Sequence, residues 1–338
     1  MPSSSVIAVV GASGHTGRFV VAELLRRGFT PRAIGRDARR LAAAGFEQRG
    51  VPVARADLDD AASLDGALSG ASAVINCAGP FLDTAHAVAS AALRARIHYL
   101  DVTAEQPSAL ATFEGFDAAA RDAGVVVLPA MGFYGGLADL MATAVVGSWP
   151  EADEIEIGTA LDSWHPTAGT RMTGQRNTAQ RLVVADGRLV PLPQPAPTRS
   201  WAFPAPLGEQ DMVALPFSEV VVIARHLRTR ELHHYLNQAP LRELRDATTP
   251  APKATDASGR SDQRFALHVK ARRGSDMREA LVLGRDIYAV TAPLACEAVQ
   301  RILAGDRHAG GAFAAGELFD ARSFLQALAP EHLILAWG

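Results

Sequence analysis

Gly11-Ala12-Ser13-Gly14-His15-Thr16-Gly17 is the segment whose residue types and spacing bear most directly on chemistry. It follows an apolar run, Val6 to Val10, and opens an amphipathic stretch that reaches Arg27. A buried strand, a glycine turn and a helix, in that order, build a site for the diphosphate of a dinucleotide. Gly11 permits the tight turn, Gly14 lets the backbone approach the phosphates, and Gly17 lets helix pack on strand. Ser13, His15 and Thr16 then stand at a helix N-terminus, where N–H groups and the positive dipole end attract anions. The spacing is G-x-x-G-x-x-G rather than G-x-G-x-x-G, so the strand and helix around it carry the reading. A tight strand-to-helix turn without a ligand is the plain alternative.

Further candidates fall just after apolar runs. Pro31 to Arg36 reads as a second strand ending in Gly35-Arg36. An acidic residue there would accept from a ribose hydroxyl, whereas the Arg36 guanidinium suits a 2′-phosphate, which favours NADP over NAD. Asp37 could take the ribose role instead. Asp57 follows a third strand, Val51 to Arg55, where it either borders the adenine or caps the next helix. Cys77-Ala78-Gly79-Pro80 follows a fourth, Ala71 to Asn76, and its small residues let the backbone pass close to a cofactor ribose. Cys77 as a nucleophile competes with Cys77 as packing against the sheet. Tyr99, Asp101 and Thr103 alternate at the end of a fifth strand, Ile97 to Asp101, so they share a face. A sixth, Val125 to Leu128, leads to the loop Met131 to Gly136, which carries Phe133 and Tyr134.

These strands alternate with helical patterns over 17–27, 37–45, 61–68, 83–95 and 108–123. The expectation is an α/β chain whose N-terminal domain is a doubly wound parallel sheet of the Rossmann type, with ligands at the carboxyl ends of the strands. Beyond Trp149-Pro150 the pattern changes. Strands are expected at Glu154–Leu161, Thr198–Pro204, Phe217–Ile223, Gln263–Arg272 and Arg278–Leu283. Helices are expected at Thr167–Leu182 and Tyr288–Leu303, with loops at 191–197 and 248–261. This predicts a second, α+β domain with a mixed, mostly antiparallel sheet. The division expected is 1–130, 131–285, and 286–338 as C-terminal helices packing back toward the dinucleotide domain.

Composition narrows the function classes. The chain has 338 residues, with 33 basic and 36 acidic side chains and a formal charge of −3, so no nucleic-acid or anionic-membrane partner is implied. Its two cysteines, far apart, suit a reducing cytosol rather than a disulfide framework. No apolar run is long enough to span a membrane, and the chain enters a strand almost at once, so no signal peptide is expected. Tyr99, Tyr134, Tyr235 and Tyr288 are followed four residues later by Thr103, Ala138, Ala239 and Ala292. The tyrosine–lysine pair of short-chain dehydrogenases is therefore absent. No metal-ligand spacing and no G-x-S-x-G elbow occurs; the histidines are scattered apart from His233-His234.

The residues Gly11 to Gly17, Ala33 to Arg36, Val74 to Phe81 and His98 to Glu105 resemble those of the saccharopine dehydrogenase-like oxidoreductases, two-domain NADP-linked reductases. Gly132-Phe133, Asp139, Ser163 to Thr170 and Gly284 to Ala292 look like that family's later landmarks. The chain carries Ala104-Glu105 where a Gly-Glu pair is usual. The resemblance implies an NADPH-dependent reductase of a C=N, C=C or C=O bond in a small molecule, and a homodimer. A substrate would lie over the nicotinamide in a cleft between domains, against Phe81 and Phe133. Tyr99, Tyr134 or a water on Asp101 would supply the proton, and His165, Arg171 and Arg176 would be the cations for a substrate carboxylate. Arg171 and Arg176 read first as surface arginines, and Asp101 equally as a cap or loop brace. A non-catalytic NADP-binding redox sensor is the competing reading.

Overall fold

The computed structural model describes residues 5–305 and 309–338. The chain divides into two compact units, Met1–Gly132 with Thr291–Phe313, and Phe133–Val290 with Ala314–Gly338.

In the first unit, strand and helix alternate in chain order: β1 (Val6–Val10), α1 (His15–Arg26), β2 (Thr30–Gly35), α2 (Ala38–Ala43), β3 (Val53–Arg55), α3 (Ala61–Leu68), β4 (Ala73–Asn76), α4 (Phe81–Ala95), β5 (His98–Asp101), α5 (Gln106–Ala123) and β6 (Val126–Leu128). Their spatial order is β6-β5-β4-β1-β2-β3, and every pairing is parallel. Strand order therefore reverses beside β1, and in such sheets the crevice beyond the carboxyl ends at that point takes the ligand. The reason for the topology is legible in burial. Ile7 to Val10 and Ala73 to Asn76 are buried throughout, as strands covered by helices on both faces must be. Asp37 and Asp60 start α2 and α3 by accepting from backbone amides two and three residues on.

The second unit contains α6 (Ala138–Val146), β7 (Ala152–Leu161), α7 (Ala168–Arg176), β8 (Leu182–Ala185), β9 (Arg188–Pro191), β10 (Thr198–Ala202), β11 (Glu209–Ala214), α8 (Ser218–His226), β12 (Thr229–Asn237), α9 (Gln238–Arg245), β13 (Arg264–Arg273) and β14 (Asp276–Arg285). The chain then returns to the first unit as α10 (Thr291–Leu303), which lies against α1, and as β15 (Gly311–Ala312), which extends the parallel sheet at β6. It finishes in the second unit with α11 (Ala315–Leu318), α12 (Ala321–Leu328) and β16 (Leu333–Trp337). The second sheet runs β10-β11-β12-β7-β13-β14-β16, with the β8–β9 hairpin branching from β12. Among the described residues only β12 and β7 pair in parallel in this sheet, so it is mixed and mostly antiparallel as expected.

Two expected elements differ. Phe217–Ile223, read as a strand, is α8. Its run Val220-Val221-Val222-Ile223 is buried throughout and so carries no helical period, while the Glu219 carboxylate accepts from the Phe217 amide and starts the helix. The helix expected to reach Leu182 ends at Arg176, because Leu182 already pairs with β9. No helix among the described residues is long and apolar enough to cross a membrane.

Candidate functional site

In the glycine turn, Gly11 sits at φ +76°, and a Cβ there would lie 2.8 Å from the Ala78 nitrogen. A Cβ on Gly17 would lie 2.4 Å from the Gly11 carbonyl oxygen. Neither position tolerates a side chain: one joins the β1–α1 loop to the β4–α4 loop, the other lets α1 sit on that loop. Gly14, by contrast, is exposed, with only the Gly11 oxygen, at 3.1 Å, near a Cβ position. No side chain caps α1. The turn itself is held by the amides of Gly11 and Ala12 on the Ile34 carbonyl, at 2.9 and 3.2 Å, and by Gly14 N on Gly11 O at 2.9 Å. Ser13, His15 and Thr16 are half-buried along this edge. An uncapped helix end reached across bare glycine backbone leaves its N–H groups and positive dipole end open to an anion.

At the end of β2, Arg36 is exposed and has no partner for its guanidinium among the described residues. Asp37 is occupied elsewhere: its Oδ1 accepts from Arg39 N and Arg40 N, at 2.9 and 3.2 Å, and Oδ2 faces Arg40 at 3.6 Å. Arg55 donates from Nε to the Arg36 carbonyl at 3.2 Å, so a second guanidinium, with no motif to mark it in the sequence, borders this edge. Asp57 accepts from Asp59 N at 3.1 Å in a local turn. The cap of the following helix is Asp60, not Asp57.

The loop after β4 is fixed from three sides. Asn76 accepts from Ala78 N and donates to Thr84 Oγ1, and Thr84 donates back to the Ala78 carbonyl. Glu105 places both carboxylate oxygens on the first amides of α4, Phe81 N at 2.8 Å and Leu82 N at 3.1 Å. Burial raises the Glu105 pKa, and those two amides oppose the rise. Phe81 is 8% exposed and Pro80 is buried, whereas Cys77, Ala78 and Gly79 are partly open. Burial, with Asp101 nearby, pushes the Cys77 thiol up to about 12, so it is a thiol and not a nucleophilic thiolate.

Tyr99 and Asp101 are both 0% exposed. Tyr99 Oη donates to Asp101 Oδ2 at 2.8 Å, and Asp101 Oδ1 accepts from Thr103 N and Ala130 N at 3.0 and 2.9 Å. Burial raises both pKa values; for Asp101 the Ala130, Thr103 and Tyr99 hydrogen bonds pull the other way. This carboxylate ties the end of β5 to the loop after β6.

In the second unit, Phe133 packs edge-on against Tyr134 and Phe265, at centroid distances of 4.9 and 4.8 Å. Tyr134 lies 4.2 Å from Phe217 and stacks with Trp164 at 5.8 Å. Of the three expected cations, Arg171 is engaged by the carbonyls of Asp246 and Thr249, at 3.1 and 2.8 Å, and Arg176 is exposed in the last turn of α7. His165 is half-buried, and its carbonyl lies 3.5 Å from Tyr288 Oη. The α7 N-terminus is capped by Thr167, whose Oγ1 accepts from Thr170 N. The guanidinium that does sit among the aromatic rings is Arg181, 4.7 Å above Phe217 and donating to Pro216 O at 2.5 Å. Burial lowers its pKa against the fields of Glu219 and Tyr134. Glu219, 0% exposed, accepts through Oε1 from Phe217 N at 2.7 Å and lies 2.6 Å from His234 Nδ1. Arg181 and Glu219 left no motif to find; the His233-His234 doublet was the one visible signal.

The saccharopine dehydrogenase (L-Glu forming) of Saccharomyces cerevisiae, in its apo form, matches over 99% of this chain and 100% of its own, with a TM-score of 0.69 at 12% identity. GenD2 from gentamicin A biosynthesis, in complex with NAD, covers 99% of this chain and 97% of its own, at 14% identity and TM-score 0.47. Serine dehydrogenase from Escherichia coli covers 37% and 80%, at 14% identity and TM-score 0.31. A model of the NmrA-like family matches residues 3–100. Only the first of these structures is near enough to define a fold. The resemblance read from the sequence therefore holds at that level: the chain has the saccharopine dehydrogenase fold.

Proposed function

We propose that the protein is an NADPH-dependent oxidoreductase of the saccharopine dehydrogenase-like type, reducing a C=N, C=C or C=O bond of a small-molecule substrate. The observation that carries this reading is the uncapped α1 N-terminus behind Gly11, Gly14 and Gly17, two of which admit no side chain. The saccharopine dehydrogenase fold adds support. Gly11, Ser13, Gly14, His15, Thr16 and Gly17 would hold the diphosphate, and Cys77 to Pro80 would border the ribose. Arg36, with Arg55 beside it, would take a 2′-phosphate; the use of Asp37 Oδ1 as a helix cap supports this reading over a ribose role for Asp37. Asp57 would border the adenine.

When bound, the nicotinamide supplies the hydride. The chain's residues orient and exclude water. Tyr99 and Asp101, hydrogen-bonded to each other and to Ala130 N, would hold the loops after β5 and β6 in register. Tyr134 keeps its proton, because burial and the field of Glu219 raise its pKa, so its hydroxyl can donate to a bound substrate. On the second unit, Phe133, His165, Arg171 and Arg176 would contact a substrate. The test is to mix the purified chain with NADPH and panels of imines, enoyl compounds and ketones, following loss of the reduced-nicotinamide absorbance. Oxidation with one panel supports the reading, and none with any panel contradicts it.

A further inference from the structure

Arg264 on β13 and Arg285 on β14 stand directly opposite each other in the antiparallel register of the second sheet. Side chains so placed share one face, and like charges there repel. Arg285 is offset by an ion pair with Asp256. The Arg264 guanidinium has no partner among the described residues.

One step along the same face the chemistry turns apolar. Leu283 lies two residues before Arg285 and stands opposite Ile334 of β16. Ile334 is 62% exposed, an unusual cost for a large aliphatic side chain on a strand. With the turn at 204–207, which carries Pro204, Pro206 and Leu207, these residues line a cavity of about 490 Å³. That is the size of a small-molecule site, roughly 300–1,000 Å³. At its polar end three guanidinium groups, of Arg260, Arg264 and Arg285, meet two carboxylates, of Asp256 and Glu331, so one positive charge is left over. Arg260 is engaged with His332 Nδ1 at 3.0 Å, which leaves Arg264 as the open fork.

An occupant has to match both ends. A cation would be repelled, and a small inorganic anion would leave the apolar row in water. One negative charge on an aliphatic chain matches both: its carboxylate accepts from the Arg264 fork, and its chain covers Leu283 and Ile334. We propose that this cavity binds a medium-length aliphatic carboxylate, with its head at Arg264 and its tail along Leu283 and Ile334 beside the 204–207 turn. The site lies wholly within the second unit, and the inference stands apart from the reductase reading, since no nucleotide takes part in it.

Calorimetric titration of the full chain with octanoate, without nucleotide, tests it. Octanoate should bind saturably at one site. Hexanoate should bind about fourfold more weakly or worse, since each methylene taken from the groove costs about twofold to fourfold. 1-Octanol, which keeps the tail and lacks the charge, should bind about tenfold more weakly than octanoate. Arg264→Gln removes a guanidinium that holds nothing else, so the variant should fold. It should lose about tenfold in octanoate affinity and none for octanol. Ile334→Thr keeps the branched β-carbon at an exposed position and should weaken both ligands. No saturable octanoate binding, equal affinity for octanoate and octanol, an octanoate affinity unchanged in Arg264→Gln, or affinities unchanged in Ile334→Thr would overturn the proposal.

Discussion

Gly11 and Ala78 meet so closely that a Cβ on Gly11 would stand 2.8 Å from the Ala78 nitrogen. Two loops at the carboxyl edge of the sheet are thus locked together at a residue with φ +76°. Gly11→Ala should destabilise the chain by about 1–2 kcal/mol from the left-handed backbone alone, with the clash added to it. It should also weaken NADPH binding by about tenfold or more, since the diphosphate cradle must open. Thermal melts and a cofactor titration check both parts. Unchanged affinity would mean that this contact does not shape the site.

On the proposed reading, Arg36 and Arg55 divide the discrimination between cofactors. Arg36→Ala should raise the NADPH dissociation constant by about tenfold, the worth of one charge-assisted hydrogen bond, and leave that of NADH nearly untouched. Arg55→Ala should act in the same direction and less. Equal losses for both nucleotides would remove the 2′-phosphate from the account.

Asp101 is the tie between two loops. Asp101→Ala would strand Tyr99 Oη and the amides of Thr103 and Ala130 in the interior. Each stranded group costs about 1–3 kcal/mol, so the whole change should remove about 3 kcal/mol or more in denaturant melts. Asp101→Asn keeps an acceptor for the amides and should cost less. Should the two variants melt alike, the hydrogen bonds are not what holds the loops.

His226 and Asp139 give the second unit a pH dependence. His226 Nε2 lies 2.6 Å from Asp139 Oδ1, and Asp139 Oδ2 accepts from Gly316 N at 2.7 Å, which ties the segment after residue 314 to α6 and α8. Burial lowers the His226 pKa, but the field and hydrogen bond of Asp139, aided by Glu317 and opposed by Arg225, raise it overall. A raised folded value means the pair contributes fully below the unfolded histidine pKa, about 6.5, and fades as pH rises through the folded value. Melting temperature should therefore fall over that window, and His226→Gln should flatten the fall. A slope identical in both proteins would contradict the pairing.

How much the sequence disclosed depends on whether the signal was local. The strand, glycine turn and helix at 6–27 are neighbours in the chain, so their order around Gly11, Gly14 and Gly17 was enough to expect the strand-to-helix turn seen there. The Asp60 cap was missed because Asp57 stood equally well before an apolar stretch. The α8 segment misled because Val220 to Ile223 are β-branched and buried on every side, a pattern that helix and strand share. Arg181 and Glu219 lie 38 positions apart in the numbering. They meet only through the folding of β8 and α8 around β12, and no spacing rule could pair them. Arg171 illustrates the converse: a cation near a loop in sequence, yet bound to the carbonyls of Asp246 and Thr249.

The account rests on a diphosphate held by the α1 N-terminus, and a fluorescence titration of the full chain with NADPH measures that directly. Saturable one-to-one binding is predicted, tighter than for NADH and lost when Gly14→Val covers the open backbone. Absence of saturable binding, or affinity that survives Gly14→Val, would contradict it.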